Sequence, residues 1–166
     1  DNFAFAAMAK KLGIKTPLSL LTHKLNDEVW KKNLIKLLEI SSKQKTIIGV
    51  LGVAYKPNTT LIEDSQVFYI TKGLLEKKRE IILYEPMGQH DAEKILGESV
   101  SYSQTLSDIV KKSDIIFVSN PDKSFLALKD LLKETKTKKT IIDPWGMFTK
   151  ADWNKNVTYV SLGRKK

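Results

Sequence analysis

The sequence predicts an α/β domain, a Rossmann-like three-layer unit with a mainly parallel sheet, preceded by a long connecting helix. Three observations carry this expectation. Thr46-Ile47-Ile48-Gly49-Val50-Leu51-Gly52-Val53 is a continuous apolar run with β-branched residues, as expected of a strand buried on both faces. Further apolar runs alternate with amphipathic segments, which is the pattern of βαβ units. Leu18, Leu21, Leu25, Val29, Leu34, Leu37 and Leu38 keep a helical stripe from Thr16 to about Ile40.

The elements follow in order. Asp1 to Leu12 reads as a helix with Phe3, Ala6, Ala7 and Lys10 on one face, and Gly13 suits the position after its end. Thr16-Pro17 restarts a helix, with Thr16 as N-cap and Pro17 at the first helical position. So long a helix ahead of an α/β domain reads as an interdomain connector or a dimer seam; the plainer alternative lays it against the sheet. After the polar break at Ser41–Lys45 come the first strand and an amphipathic helix over Ser65–Lys77, with Val67, Ile70, Leu74 and Leu75 inward. Strands are expected at Glu80–Tyr84, Val100–Tyr102, Asp114–Val118, Thr140–Asp143 and Val157–Val160. Helices are expected at His90–Leu96, at Thr105–Val110 with Thr105 or Ser107 as cap, and at Phe125–Glu134.

Composition narrows the chemistry. At 166 residues, 42% hydrophobic and 28% charged, the chain can bury a core. It has no cysteine, so a disulfide framework, a Cys-ligated zinc and a thiol nucleophile are excluded within these residues. No apolar run approaches the roughly 20 residues that span a bilayer. The N-terminus has neither a basic signal-peptide region nor an initiator Met, so no signal peptide is expected and the sequence reads as starting inside a longer protein. The net charge is +9, but only Arg79 and Arg164 among 28 basic residues are arginine. The lysines are spread along the chain (Lys10-Lys11, Lys31-Lys32, Lys77-Lys78, Lys111-Lys112, Lys138-Lys139), which favours solvated faces over a polyanion surface.

Ligands in open α/β sheets bind at the carboxyl ends of strands. Four such ends can be read: Ala54–Thr59, Glu85-Pro86-Met87, Ser119-Asn120-Pro121 and Asp143-Pro144-Trp145-Gly146. Gly49-x-x-Gly52 falls short of the G-x-G-x-x-G dinucleotide fingerprint, with Tyr55 and Lys56 where small residues belong, so an NAD site is not expected in this domain. Lys56 offers a point charge for a phosphate or carboxylate, and Tyr55 a ring or hydroxyl. The plainer alternative is an ordinary loop with an exposed lysine. Without the glycines, Glu85 is expected to cap or turn rather than to bind ribose. His23, on a helix face, and His90, in a loop, lack a partner at metal-ligand spacing.

These segments resemble a known family. Val50-Leu51-Gly52-Val53-Ala54-Tyr55-Lys56-Pro57-Asn58-Thr59 is similar to the run that opens the nucleotide-sugar-binding domain of the UDP-glucose/GDP-mannose dehydrogenases. Glu63-Asp64-Ser65-Gln66 resembles the start of that domain's next helix, Leu83-Tyr84-Glu85-Pro86-Met87 its Tyr-Asp-Pro-Met, and Asp114–Val118 its late buried strand. Asp1-Asn2-Phe3-Ala4-Phe5 looks like the end of the family's catalytic Cys signature, with Asp1 as its last residue, and Thr16–Ile40 like its central dimerisation helix.

The resemblance implies oxidation of C6 of a UDP- or GDP-hexose to the carboxylate by two NAD, through a Cys-bound intermediate. It implies residues 1–42 as connector and dimerisation region and 43–166 as nucleotide-sugar-binding domain. Asp1 is then the catalytic residue left in this chain, for proton transfer or for ordering water. Tyr55 and Lys56 contact the nucleotide sugar, and Trp145 stacks on the base or serves as an apolar lid. The chain departs from the family in carrying Glu63 where many members have Arg, and in having no Arg in the Asp143–Gly146 loop. Lacking the Cys and the NAD domain, this chain alone is expected to be inactive and to bind no cofactor. A cytoplasmic homodimer paired through helix 16–40 is expected, with no nucleic-acid or membrane partner. The alternative is a non-catalytic scaffold of the same fold that has lost its ligand.

Overall fold

The computed structural model of the chain describes residues 2–42, 45–63, 65–149 and 151–162. Six strands form one sheet: β1 Ile47–Leu51, β2 Glu80–Tyr84, β3 Ser101–Tyr102, β4 Ile115–Val118, β5 Lys139–Asp143 and β6 Val157–Ser161. Their order is β3-β2-β1-β4-β5-β6, with every pair parallel. This is the doubly wound Rossmann arrangement, whose winding reverses between β1 and β4.

The continuous apolar strands are explained by two cores. Along β1, Ile48 and Val50 point to one face and Leu51 to the other; Ile81 and Leu83 of β2, and Ile115 and Phe117 of β4, join the first. Helices α3 Gln66–Glu76 and α4 Gln89–Leu96 cover that face through Val67, Ile70, Leu74 and Ala92. Helices α5 Leu106–Lys112 and α6 Leu128–Leu132 cover the second through Ile109, Leu128 and Leu132, joined by Phe125 from the loop after β4. Gly49 lets α5 approach closely, because a Cβ there would stand 2.7 Å from Ile109 Cγ2. Ser65 and Thr105 cap α3 and α5, accepting the Val67 and Asp108 amides.

Helix α1 Asn2–Lys11 ends at Gly13 with φ +71°, and α2 runs Pro17–Ile40. The long helix lies against α3 rather than on the sheet. Leu37 is fully buried, with Trp30, Leu34 and Leu38 packed beside it, whereas Leu18, Leu21, Leu25 and Val29 are exposed. The stripe is thus used for intrachain packing only toward its C-terminal end. Gly73 admits this contact, since a Cβ on it would lie 2.3 Å from Leu34 Cδ2.

Several sequence expectations need correction. Thr16 occupies the N-cap of α2, but its side chain makes no capping bond. Helix α1 buries Ala6 and Ala9 and leaves Phe3 and Ala7 exposed. The helix expected at Phe125–Glu134 is a 3-10 turn, Lys123–Ala127, followed by the short α6; the Asp122 carboxylate accepts the Ser124 amide and starts the chain earlier and tighter. His90 sits in the first turn of α4, which agrees with the helix expected at His90–Leu96 and not with a place in a loop. Lys139 is not solvated: it is buried, and its ammonium donates to the Ser113 carbonyl at 2.5 Å.

Two predictions follow from this packing. Gly73→Ala should destabilise the chain by about 1 kcal/mol, because crowding against Leu34 outweighs the gain in helix propensity. In a Leu34→Ala background the same substitution should stabilise by about 1 kcal/mol, a reversal that chemical denaturation reads directly. Burial lowers the Lys139 pKa below its ordinary 10.5, with Asp114 partly opposing. The unfolded chain therefore binds that proton more tightly, and the burial cost falls as pH rises toward 10.5. Denaturation midpoints of Lys139→Met and the parent should accordingly shift in the parent's favour across the alkaline range.

Candidate functional site

The switch point places the carboxyl ends of β1 and β4 side by side. The Gly52 amide donates to the Tyr84 carbonyl at 2.8 Å and the Ser119 amide to the Leu51 carbonyl at 3.1 Å, so the inter-strand bonding continues one step past each strand. The Ser119 hydroxyl lies against the Leu51 and Gly52 carbonyls and donates to one or the other. Gly52 has φ +84°, and a Cβ there would meet Asn120 Nδ2 at 2.6 Å; both the conformation and the space require glycine. Gly52, Ser119 and Asn120 form the floor of the crevice.

Two buried carboxylates brace its walls. Glu85, at the end of β2, accepts the Val53 and Ala54 amides on Oε2 at 2.7 and 3.0 Å. Its Oε1 accepts the Met87 and Gly88 amides at 3.3 and 3.5 Å. Asp143, at the end of β5, accepts the Trp145 and Gly146 amides on Oδ1 at 3.1 and 2.8 Å. Its Oδ2 accepts the Phe148 amide at 3.0 Å and the Tyr159 hydroxyl at 2.8 Å. Both follow one local pattern, acid-Pro-x-Gly, in which the carboxylate takes the amides two and three residues on. Glu85 therefore caps and turns, as the sequence suggests.

The three side chains singled out as ligand contacts stand on these braced loops. The Tyr55 amide donates to the Leu61 carbonyl at 2.8 Å, closing a loop that turns at Asn58 with φ +59°. Tyr55 is 62% exposed, Lys56 is also exposed, and neither is engaged by a described side chain. Trp145 is 56% exposed, yet its indole N–H donates to the Ser119 carbonyl at 2.7 Å. That bond fixes the ring over the β4 loop and leaves it a face, but no donor, to offer. Asp1 lies outside the described residues, as does Asp64.

An open cleft of about 480 Å³ lies beside this crevice, at the ends of β2 and β3, among Tyr84, Glu85, His90, Glu93 and Gln104. It includes none of Tyr55, Lys56 and Trp145, and carboxylates without a lysine or arginine line it, so its charge opposes a phosphate. Burial, then the Asp122 and Glu85 carboxylates, raise the Tyr84 pKa above its ordinary 10.0. No group of three or more His, Cys, Asp and Glu side chains able to hold a metal occurs among the described residues.

Sequence reasoning placed Ser119, Asn120 and Asp143 in strand-end loops but did not give them their hydrogen-bonding roles in building the site. The repeated Glu85-Pro86-x-Gly88 and Asp143-Pro144-x-Gly146 at two strand ends was the signal available. Which strand ends adjoin depends on sheet order, which no local pattern states.

Comparison with known proteins gives this geometry a family. Residues 49–150 match the UDP-glucose/GDP-mannose dehydrogenase family, UDP binding domain. The chain is 28% identical to the UDP-glucose 6-dehydrogenase TuaD of Bacillus subtilis, over 99% of its own length and 36% of the relative's. Against a UDP-glucose 6-dehydrogenase of Rhizobium meliloti, 27% identity extends over 70% of the chain and 27% of the relative. The fold matches a UDP-glucose dehydrogenase from Pyrobaculum islandicum with a TM-score of 0.77 at 20% identity, over 99% of this chain and 36% of that one. It matches a GDP-mannose dehydrogenase from Pseudomonas aeruginosa at 0.73 and 21% identity, over 96% of this chain and 37% of the other. The chain thus spans about a third of the length of these relatives, and it belongs to the UDP-glucose/GDP-mannose dehydrogenase family through its UDP binding domain.

Proposed function

We propose that the chain is the substrate-holding part of an NAD-dependent nucleotide-sugar 6-dehydrogenase that oxidises the C6 alcohol of a UDP- or GDP-hexose to the uronic acid. The observation that carries this reading is the braced crevice at the switch point, flanked by Tyr55, Lys56 and Trp145, in a domain of that family. Lys56 holds the diphosphate as a point charge, Tyr55 packs on the nucleotide sugar, and the fixed Trp145 ring stacks on the base. Oxidation of an alcohol to an acid releases two hydrides, which two NAD accept at a site that the incomplete glycine pattern of this domain does not supply. Asp1 assists proton transfer or orders water there, beside a Cys outside these residues. The chain alone is inactive and holds no NAD.

Residues 1–42 act in this reading as connector and dimerisation region and 43–166 as the nucleotide-sugar-binding domain. The exposed Leu18, Leu21, Leu25 and Val29 of α2 supply the seam of a cytoplasmic homodimer. No helix among the described residues is long and apolar enough to cross a membrane. One observation favours a second reading, a scaffold without ligand: the loop Asp143–Gly146 carries no arginine to share the diphosphate with Lys56.

Calorimetric titration with UDP-glucose and GDP-mannose separates the two readings. Saturable binding of either, weakened at least about tenfold by Lys56→Ala, supports the substrate-holding role. Heat no greater than dilution at millimolar ligand overturns it. Glu85→Gln places an amide donor against backbone N–H groups that now meet a carboxylate. It should cost about 1–3 kcal/mol of stability and weaken the same ligand even where circular dichroism shows the fold retained. Unchanged affinity would separate the brace from the ligand loop.

A further inference from the structure

We propose that the amino-end face of the sheet is a docking surface for an anionic lipid surface. In sequence the lysines are scattered, and that spacing favours solvated faces. A wholly parallel sheet changes the picture, because the segments that lead into its strands all lie at one end. Lys45 leads into β1, Lys77 and Lys78 into β2, Lys111 into β4, Lys136 and Lys138 into β5, and Lys155 into β6. All seven are exposed, and none forms an ion pair with a described residue. Lys112 and Lys133 also reach this end but are paired with Asp108 and Asp130. The opposing carboxylates in these segments are Glu76, Glu80, Asp114, Glu134 and Asp152, with Glu98 before the neighbouring β3, and that of Asp114 is already engaged by the Ile47 amide at 3.0 Å.

The form of the patch selects its partner. It crosses five neighbouring strands, β2-β1-β4-β5-β6, which at strand spacing is about 20 Å wide. Its free cations are lysines, flexible point charges without the planar fork that makes bidentate contacts to bases and phosphates; Arg79 is half-buried. None of the exposed large apolar side chains lies in these segments, so nothing here stacks on a base or inserts into a bilayer. A broad field of mobile positive charge suits a flat, fluid negative surface better than a grooved polymer. The opposite end carries Glu63, Glu85, Asp122 and Asp143 against Lys56 and Lys123. This polarity orients the molecule with the β1–β4 crevice turned away from the lipid, so docking leaves that crevice open. The inference does not depend on the nucleotide-sugar reading.

Vesicle sedimentation of the 166-residue chain tests it. Vesicles with about 30% phosphatidylserine should retain the protein at low salt, neutral phosphatidylcholine vesicles should not, and about 0.5 M NaCl should release it. Replacing Lys77, Lys78, Lys136 and Lys138 by Gln should lower partitioning at least about tenfold. Replacing Lys10, Lys11, Lys15 and Lys24 by Gln removes the same charge elsewhere and should change it by less than about twofold. Equal losses in the two variants would mean that net charge alone acts, and would overturn the proposal. So would absence of binding to the anionic vesicles, or tighter binding to a DNA duplex than to them at equal salt. Thermal melts of both variants confirm that the exposed substitutions leave the fold intact.

Discussion

The site depends on two carboxylates buried where strands end. Glu85 and Asp143 each take four hydrogen bonds from the chain's own donors, mostly backbone amides. A loop that leaves a parallel sheet carries N–H groups that no neighbouring strand can satisfy, and burying them unpaired would cost about 1–3 kcal/mol apiece. A carboxylate followed by Pro-x-Gly meets this need locally: Pro spares one donor, and Gly lets the chain fold back onto the oxygen. The side-chain lengths then divide the work. Asp143 closes its own loop and anchors β6 through Tyr159. Glu85, one methylene longer, also reaches across to the β1 loop and fixes the base on which Tyr55 and Lys56 stand.

Around these braces the architecture follows from packing. Strands that alternate between two cores demand helices on both faces, and the parallel order collects the strand exits at one end. The same order sets Gly52 beneath Asn120 and Ser119, where a side chain has neither the space nor the backbone conformation. Helix α2 adds a partial fourth layer. Its C-terminal half joins the core through Trp30, Leu34 and Leu37, while Leu18, Leu21, Leu25 and Val29 before it remain exposed in a single chain.

The sequence made the periodic elements legible and the relations between them largely not. The buried strands announced themselves by continuous apolar runs, and Thr105 offered itself beside Ser107 as a cap; that Ser65 caps α3 rather than opening it was not read. The segment after β4 misled because Leu126, Leu128, Leu131 and Leu132 imitate a helical stripe, although Asp122 starts it as a tight turn. The α2 stripe gave the helix but not the change of environment along it, which is a tertiary fact. Tyr55, Lys56 and Trp145 were legible as exposed residues at strand ends. That Trp145 is tied to Ser119 was not, because strand order decides which ends meet. Strand order likewise hid the gathering of scattered lysines at the opposite end.

The braces also set this Rossmann-like unit apart from the glycine-rich dinucleotide turn. In a dinucleotide fold the glycine-rich turn offers free backbone amides to the pyrophosphate. Here the Val53 and Ala54 amides point at Glu85, and those of Trp145 and Gly146 at Asp143. The protein's own carboxylates sit where a phosphate would otherwise be solvated by the main chain, and they repel a second anion in the same place. In the proposed reading an anionic ligand lies outside these loops, against side chains that project from them. The same reading gives that role to the exposed Lys56, and on it the rigidity set by Glu85 matters to binding as the charge does, because a charge held in place loses less freedom when it meets a ligand.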